Sequence, residues 1–486
     1  MRSTRRNFLQ RAGALALGAS GIYGLADAIA TKPARAYGSG SRALTPEQHV
    51  LGKRRLVRDN GIDVVVPPLH HQVVTAKLRI GLGRSALLAA QVELEAALRQ
   101  LEQRYAPAPA GLGVIVGWGL SYFSTYVPML ADSTAFPLYL PVDTRASVDA
   151  KSTGEPIVHA LSDAIAFPSD PPDLILEQND VVFLFQSDVL EHVSAGAEAL
   201  VGRLDGMLAL TSVRKGFVGG GFGGGTSLPK RIAMAAGVPG AKSIPENAAL
   251  FLGFTSTQKA SLGPERIVNF EAIPGLTDQW PNGYFRHGTT MHLSHIFEDL
   301  ERWYSRFDFS ERVERMFRPG LAVKPGTLTV SEGPHDVESM ASLVRDANGR
   351  LIVGHSASIQ PANRVRRSLV DNYGVRVPKG TAVLQRGDFN TLDNPFFWTA
   401  QPADDRYSDK PAAGLHFVAF APTSDTFSRA RLAMDGHYHE GTTLATWWRG
   451  PHQAGQGFNS ILTTTHRQNF LVPPRRHRSF PLAERV

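Results

Sequence analysis

The chain has no cysteine. That absence removes disulfides, thiolate-ligated haem, iron–sulfur clusters and cysteine nucleophiles, so a metal here must be held by His, carboxylate, Tyr or Met. Long hydrophobic runs are also missing, and no internal stretch reaches the roughly eighteen apolar residues that a membrane helix needs. No Gly-x-Ser-x-Gly elbow occurs, which sets serine-hydrolase chemistry aside. Cationic blocks are scarce despite a net charge of +7: Arg2, Arg5, Arg6, Arg11, Lys32 and Arg35 against Asp27 place +5 of it in residues 1–36, leaving about +2 for the rest. No basic run with interleaved aromatics follows, and Pro474-Arg-Arg-His-Arg478 is too short, so nucleic acid is not an expected partner.

What is present is an ordinary globular composition, with 486 residues, 43% hydrophobic and 46 glycines. Such a chain can bury a large core as two or three domain-sized units or as one duplicated fold. Its start, Ser3-Thr-Arg-Arg-Asn-Phe-Leu9, precedes a mildly apolar run from Ala12 to Ala30 and then Ala34-Arg-Ala36. The pattern reads as a twin-arginine signal over residues 1–36 with cleavage after Ala36. It predicts the twin-arginine translocase as a partner and a periplasmic or extracellular location, reached already folded and with any cofactor loaded. Residues 37–60 are polar and basic and read as a mobile leader.

Organised structure is expected from His70. Alternation through Ile80 gives a half-buried strand, helical spacing from Leu87 to Leu101 gives a helix that Ser85 can cap, and Gly113–Gly119 gives a second strand. Asp180–Ser187, a helix over Val189–Leu204 and a strand at Met207–Val213 complete a β-α-β-β-α-β order, the ferredoxin-like arrangement of an antiparallel sheet with helices on one face. The second half repeats it with strands at Met291–Ile296, Thr381–Arg386 and Leu415–Phe420 and helices at Phe297–Phe317 and Phe427–Met434. The predicted class is therefore α+β, a duplicated ferredoxin-like fold with halves over 61–235 and 236–486 and a pocket on the open side of the second. Gly216–Gly225, with seven glycines in ten residues, lacks the Gly-Lys-Ser/Thr ending of a phosphate loop and reads as a turning linker.

Sixteen histidines invite a search for metal ligands. His287, His292 and His295 cluster within nine residues; if His292–Glu298 were helical, His292, His295 and Glu298 would share one face, a divalent-metal arrangement, whereas on a strand His292 and His295 point apart. His437 and His439 share a strand face but are only two ligands. His355 follows the apolar run Leu351-Ile-Val353, where a strand gives way to a loop, and can be a ligand or a strand-end polar residue.

The order of segments resembles the dye-decolourising peroxidases. The likeness runs through His71–Leu78, Gly113–Phe123, Asp173–Asp180, Ala249–Thr257, Gly283–Trp303, Leu351–Asn363, Thr381–Gly387 and Gly414–Phe420. It implies two ferredoxin-like halves closed as a dimeric α+β barrel, haem b as cofactor, and peroxide-dependent oxidation of a small organic donor, with a homo-oligomer compatible. In that family the Asp of a Gly-x-x-Asp-Gly motif is an acid–base group, a histidine holds the iron, and an arginine shapes the peroxide site. Here Ser256 and Thr257 stand at the Asp and second Gly, Gln385 replaces the first Arg and leaves Arg386, and alignment on Asn363 puts the ligand position at Ser358, three residues past His355. The resemblance thus implies His355 as iron ligand, Arg386 and Ser256 at the peroxide with Gln258 beside them, and Arg364 and Arg367 (with Arg366) on the propionates or on a solvated loop face. Altered or weak activity follows, since a serine cannot take a proton as a carboxylate does. Two other readings stay open, a non-catalytic binding protein on this fold and a histidine-metal enzyme built on His287, His292 and His295.

Overall fold

The computed structural model describes residues 22–30, 44–52, 54–132, 134, 138–154, 156–222, 225–259, 262–330, 354–394, 410–437 and 455–486. The alternating and apolar runs of the first half form four strands, His70–Leu78 (β1), Gly113–Trp118 (β2), Val181–Ser187 (β3) and Leu208–Phe217 (β4). Helix Arg84–Arg104 (α1) joins β1 to β2, and Leu190–Arg203 (α2) joins β3 to β4. The second half supplies Thr289–Glu298 (β5), Phe389–Thr391 (β6), Gly414–Ala421 (β7) and Leu462–Val472 (β8). Between β5 and β6 lie helices Leu300–Arg306 (α3), Phe309–Met316 (α4) and His355–Asn363 (α5), and Ser424–Met434 (α6) joins β7 to β8.

The pairing runs β4-β1-β3-β2 in the first half and β8-β5-β7-β6 in the second, the same fourth-first-third-second order twice. The halves meet at both edges. Leu471 of β8 pairs with Trp118 of β2, and Asn390 of β6 pairs with Phe217 of β4, which closes eight strands into a ring with few exposed edges. Val73, Val182 and Leu184 of one half fill its interior together with Met291, Leu293, Val418 and Phe470 of the other. His71 stacks on Phe389 across the seam at 4.6 Å between ring centroids. The fold is the predicted α+β barrel.

Several expectations change in detail. The leader is partly folded: Arg55–Asp59 and Ile62–Val66 form a hairpin, and the buried Gln48 amide donates to the Val116 and Pro473 carbonyls at 3.1 and 2.8 Å. α1 begins after Gly83 without a side-chain cap, so Ser85 does not cap it. The helix expected over Phe297–Phe317 is two, because Asp308 and Glu311 form a capping box that restarts the chain after Phe307. The strand at Thr381–Arg386 shrinks to Gln385–Arg386, and the loop expected after His355 is helix α5. β8, which none of the sequence patterns marked, is the longest strand of the ring at 11 residues. In the glycine-rich connector, Gly219, Gly220 and Gly221 all take positive φ, and a Cβ on Gly221 would lie 2.2 Å from the Asn247 carbonyl oxygen, as a turning linker requires.

Residues 22–29 are helical and lie within the expected signal. Tyr23 is 2% exposed, and its hydroxyl sits 2.9 Å from both the Lys215 carbonyl and Asp393 Oδ1. Asp27 meets the buried His70 Nε2 at 3.0 Å. This helix packs with Phe217, Phe251 and Leu392 in one core cluster.

Candidate functional site

A cavity of about 230 Å³ lies between the outer face of the second-half sheet and helices α4, α5 and α6. Strand alternation decides which residues reach it. From β5 it takes Ser294, Ile296 and Glu298, while Met291 and Leu293 turn to the barrel interior. From the stretch leading into β6 it takes Leu384, Arg386 and Asp388, while the Gln385 amide turns away and donates to the Gly263 carbonyl at 2.8 Å. Leu252, Phe254, Ser256 and Gln258 close one end.

The helix α5 presents His355, Ser356, Ile359, Gln360 and Asn363 to the cavity, one face at helical spacing. Ser358 is not on that face, and its hydroxyl instead donates to the His355 carbonyl at 2.9 Å. Gly354 permits this helix start: a Cβ there would lie 2.1 Å from the Phe317 carbonyl oxygen, which accepts the Ala357 amide at 3.0 Å. His355 is therefore the histidine at the cavity wall. Its Nδ1 is buried with no hydrogen-bond partner among the described residues. Burial, with Arg386 and Arg431 adding to it, brings its pKa down to about 3, so the ring is neutral at physiological pH, with one nitrogen carrying the proton and the other offering a lone pair.

Polar groups surround this ring unevenly. Arg467 grips Asp170 with two bonds of 2.5 and 2.9 Å, and Arg431 joins the same carboxylate at 3.3 Å. The Arg386 guanidinium makes no hydrogen bond or ion pair among the described residues, so it is available to an anion or a polarised oxygen. Ser256 Oγ donates to Asp388 Oδ2 at 3.4 Å. Thr257 holds φ 56, a left-handed conformation that a β-branched residue disfavours.

Of the residues singled out in the sequence, His355, Ser256, Gln258, Arg386 and Arg364 meet at this cavity. Arg364 reaches it while one guanidinium nitrogen donates to the Gly380 carbonyl at 2.6 Å. Arg366 and Arg367 do not line this cavity and sit on a neighbouring cleft with Arg145 and Arg429. The histidine-metal reading fails on geometry. His292 stacks on Phe427 at 3.5 Å and bonds Asn469, His295 turns to His416 at 4.2 Å, and His287 lies apart against Glu271 at 3.1 Å. No cluster of three ligand side chains occurs among the described residues. Leu351–Val353 and His439 lie outside the described residues. Sequence reading missed Asp388 and the Asp170–Arg467 pair as cavity groups and weighed Glu298 only as a metal ligand, although Asp388 stands just two residues past Arg386.

The donor set fits a haem: a neutral buried imidazole with an unpartnered ring nitrogen, apolar walls of Leu252, Phe254, Leu415, Phe417 and Phe458, and Arg364 and Arg386 for anionic groups. The void is smaller than the roughly 300–1,000 Å³ of typical ligand pockets, so the fit rests on the chemistry of the lining.

Comparison with solved structures places the fold. A DyP-type peroxidase from Cellulomonas bogoriensis matches at 15% identity and TM-score 0.51, covering 89% of this chain and 96% of that one. A DypB variant of Rhodococcus jostii RHA1 in complex with haem matches at 12% and 0.47, covering 85% and 96%, and a putative dyp-type peroxidase from Shewanella oneidensis at 12% and 0.46, covering 85% and 94%. The fold is thus the one seen in Dyp-type peroxidases. Comparison with curated proteins gives no match. The profile of a family of unknown function, DUF7405, spans residues 68–474, and the chain belongs to that family.

Proposed function

We propose that this protein is an exported haem-binding protein of Dyp-type peroxidase fold, with His355 as the iron ligand and an organic donor oxidised at the expense of peroxide. The observation that carries the reading is His355 itself, a neutral imidazole at the start of α5 with a buried, unpartnered Nδ1 on an apolar cavity. Haem would supply the redox chemistry that the side chains lack, accepting electrons from the donor and passing them to peroxide. The Arg386 guanidinium, free of any partner among the described residues, would orient and polarise a peroxide oxygen. Arg364 would meet a propionate, and Ser256 would position water. The Arg5-Arg6 pair supports export through the twin-arginine translocase to the periplasm or beyond.

Titration of the full chain with haem tests this. A Soret band that saturates at one haem per chain, and that shifts or vanishes in His355→Ala, supports it; no band in either protein sinks it. The small void and the loss of the family's Asp at Ser256 favour a second reading, a carrier of a smaller ligand on the same fold. In that case neither protein takes up haem.

A further inference from the structure

Two carboxyl groups of the cavity have no part in the reading so far. Asp388 is 5% exposed, and Glu298, the last residue of β5, is 3% exposed. Both line the cavity. Asp388 Oδ1 and Glu298 Oε2 are buried with no hydrogen-bond partner among the described residues. Although Arg364, Arg386, Arg431 and Arg467 line the same cavity, neither carboxyl forms an ion pair with a described residue. Arg431 and Arg467 are engaged by Asp170.

Two buried carboxylates that no cation pairs with resist both carrying charge, since each loses its hydration and repels the other. Resting on the function proposed above, we propose that Asp388 and Glu298 share one proton and form the acid–base group of this cavity, filling the role of the family's Gly-x-x-Asp-Gly carboxylate that Ser256 cannot fill. Burial first, and the Asp388 charge second, push the Glu298 carboxyl up to about 8. Glu298 is then the neutral partner at physiological pH, and Asp388 Oδ2 accepts a hydrogen bond from the Ser256 hydroxyl at 3.4 Å. The ligand class is a small oxygen acid, hydrogen peroxide or an organic hydroperoxide. Its O–H proton passes to the Asp388 carboxylate, which becomes a carboxylic acid, and the oxygen keeps the electron pair as an anion facing Arg386.

The test is an infrared pH titration of the protonated-carboxyl C=O band in the full chain without haem. We expect a buried protonated carboxyl at pH 7 that ionises near 8. Glu298→Gln should remove that band, and Asp388→Asn should lower its midpoint by a unit or more. A band that survives Glu298→Gln, or a midpoint unmoved by Asp388→Asn, overturns the shared proton. Should Asp388→Asn not fold, Ser256→Asp adds a further carboxyl beside the pair and should raise the midpoint; an unmoved midpoint again overturns it. Because these readings need no haem, absence of a Soret band would remove the peroxidase reading and leave the pair standing. Where haem is taken up, Asp388→Asn should keep the Soret band and lower peroxide turnover by roughly 10²–10⁴-fold; unchanged turnover would overturn the acid–base role.

Discussion

The Ser358 hydroxyl donates to the carbonyl of His355 at 2.9 Å, one turn back along α5. This bond ties the serine to its own helix while His355 faces the cavity, so of the two candidate positions only the histidine can reach a bound group. Ser358→Ala should leave a haem spectrum unchanged and cost about 1 kcal/mol of stability. His355→Ala should weaken haem uptake by tenfold or more. Optical titration of the two variants side by side checks this, and equal loss in both would refute the assignment.

Tyr23 gives a prediction about the N-terminus. Its ring is packed with Phe217 at 6.3 Å between centroids, and its hydroxyl lies 2.9 Å from Asp393. Tyr23→Ala should cost about 3–5 kcal/mol through the cavity and the buried groups it abandons. A form starting after Ala36 should lose at least as much, because it also leaves His70 without Asp27. Urea unfolding of the full and truncated chains compares them; equal stability would show that the 22–29 helix contributes nothing to the fold.

The ring itself was legible in the sequence where burial is one-sided or fully apolar. Val181–Ser187 and Gly113–Trp118 advertise themselves by apolar runs, and the duplicated order followed from them. β8 was not legible, because its centre reads Thr-Thr-His-Arg-Gln-Asn and yet is buried. Its polar groups are satisfied by distant partners, such as Asp170 for Arg467 and Asn179 for Gln468, which no local pattern carries. α5 was hidden in the same way, since Pro361 and two serines suppress a helix signal that packing against α6 and the Gly354–Phe317 contact restore. Asp388 went unmarked because its importance depends on Glu298, 90 residues earlier in the chain.

The Asp170–Arg467 pair predicts a large structural effect close to the cavity. Each side chain is 2% exposed and the contact is bidentate. Asp170→Asn removes one charge and leaves the guanidinium buried beside Arg431. It should destabilise by about 3–5 kcal/mol. Replacement of both partners by apolar residues of similar volume should be milder than either single change, which a double-mutant cycle measures; additive losses would argue against the pair.

Glu298 predicts how stability follows pH. Its carboxyl is raised from 4.5 to about 8 in the fold, so folding takes up a proton at neutral pH. The sign follows from linkage: the stability tied to this group is fully present below about 4.5 and is lost as pH rises toward about 8. Glu298→Gln stays neutral in both states and escapes that loss. At pH 7 the variant should therefore be more stable than the parent by on the order of 3 kcal/mol, and near pH 4 the two should coincide. Asp388 and Tyr304 face the same carboxyl, so Asp388→Asn should flatten the same pH dependence from the other side. Chemical denaturation at both pH values reads the difference, and a gap that does not change with pH would mean that Glu298 is ionised in the folded protein.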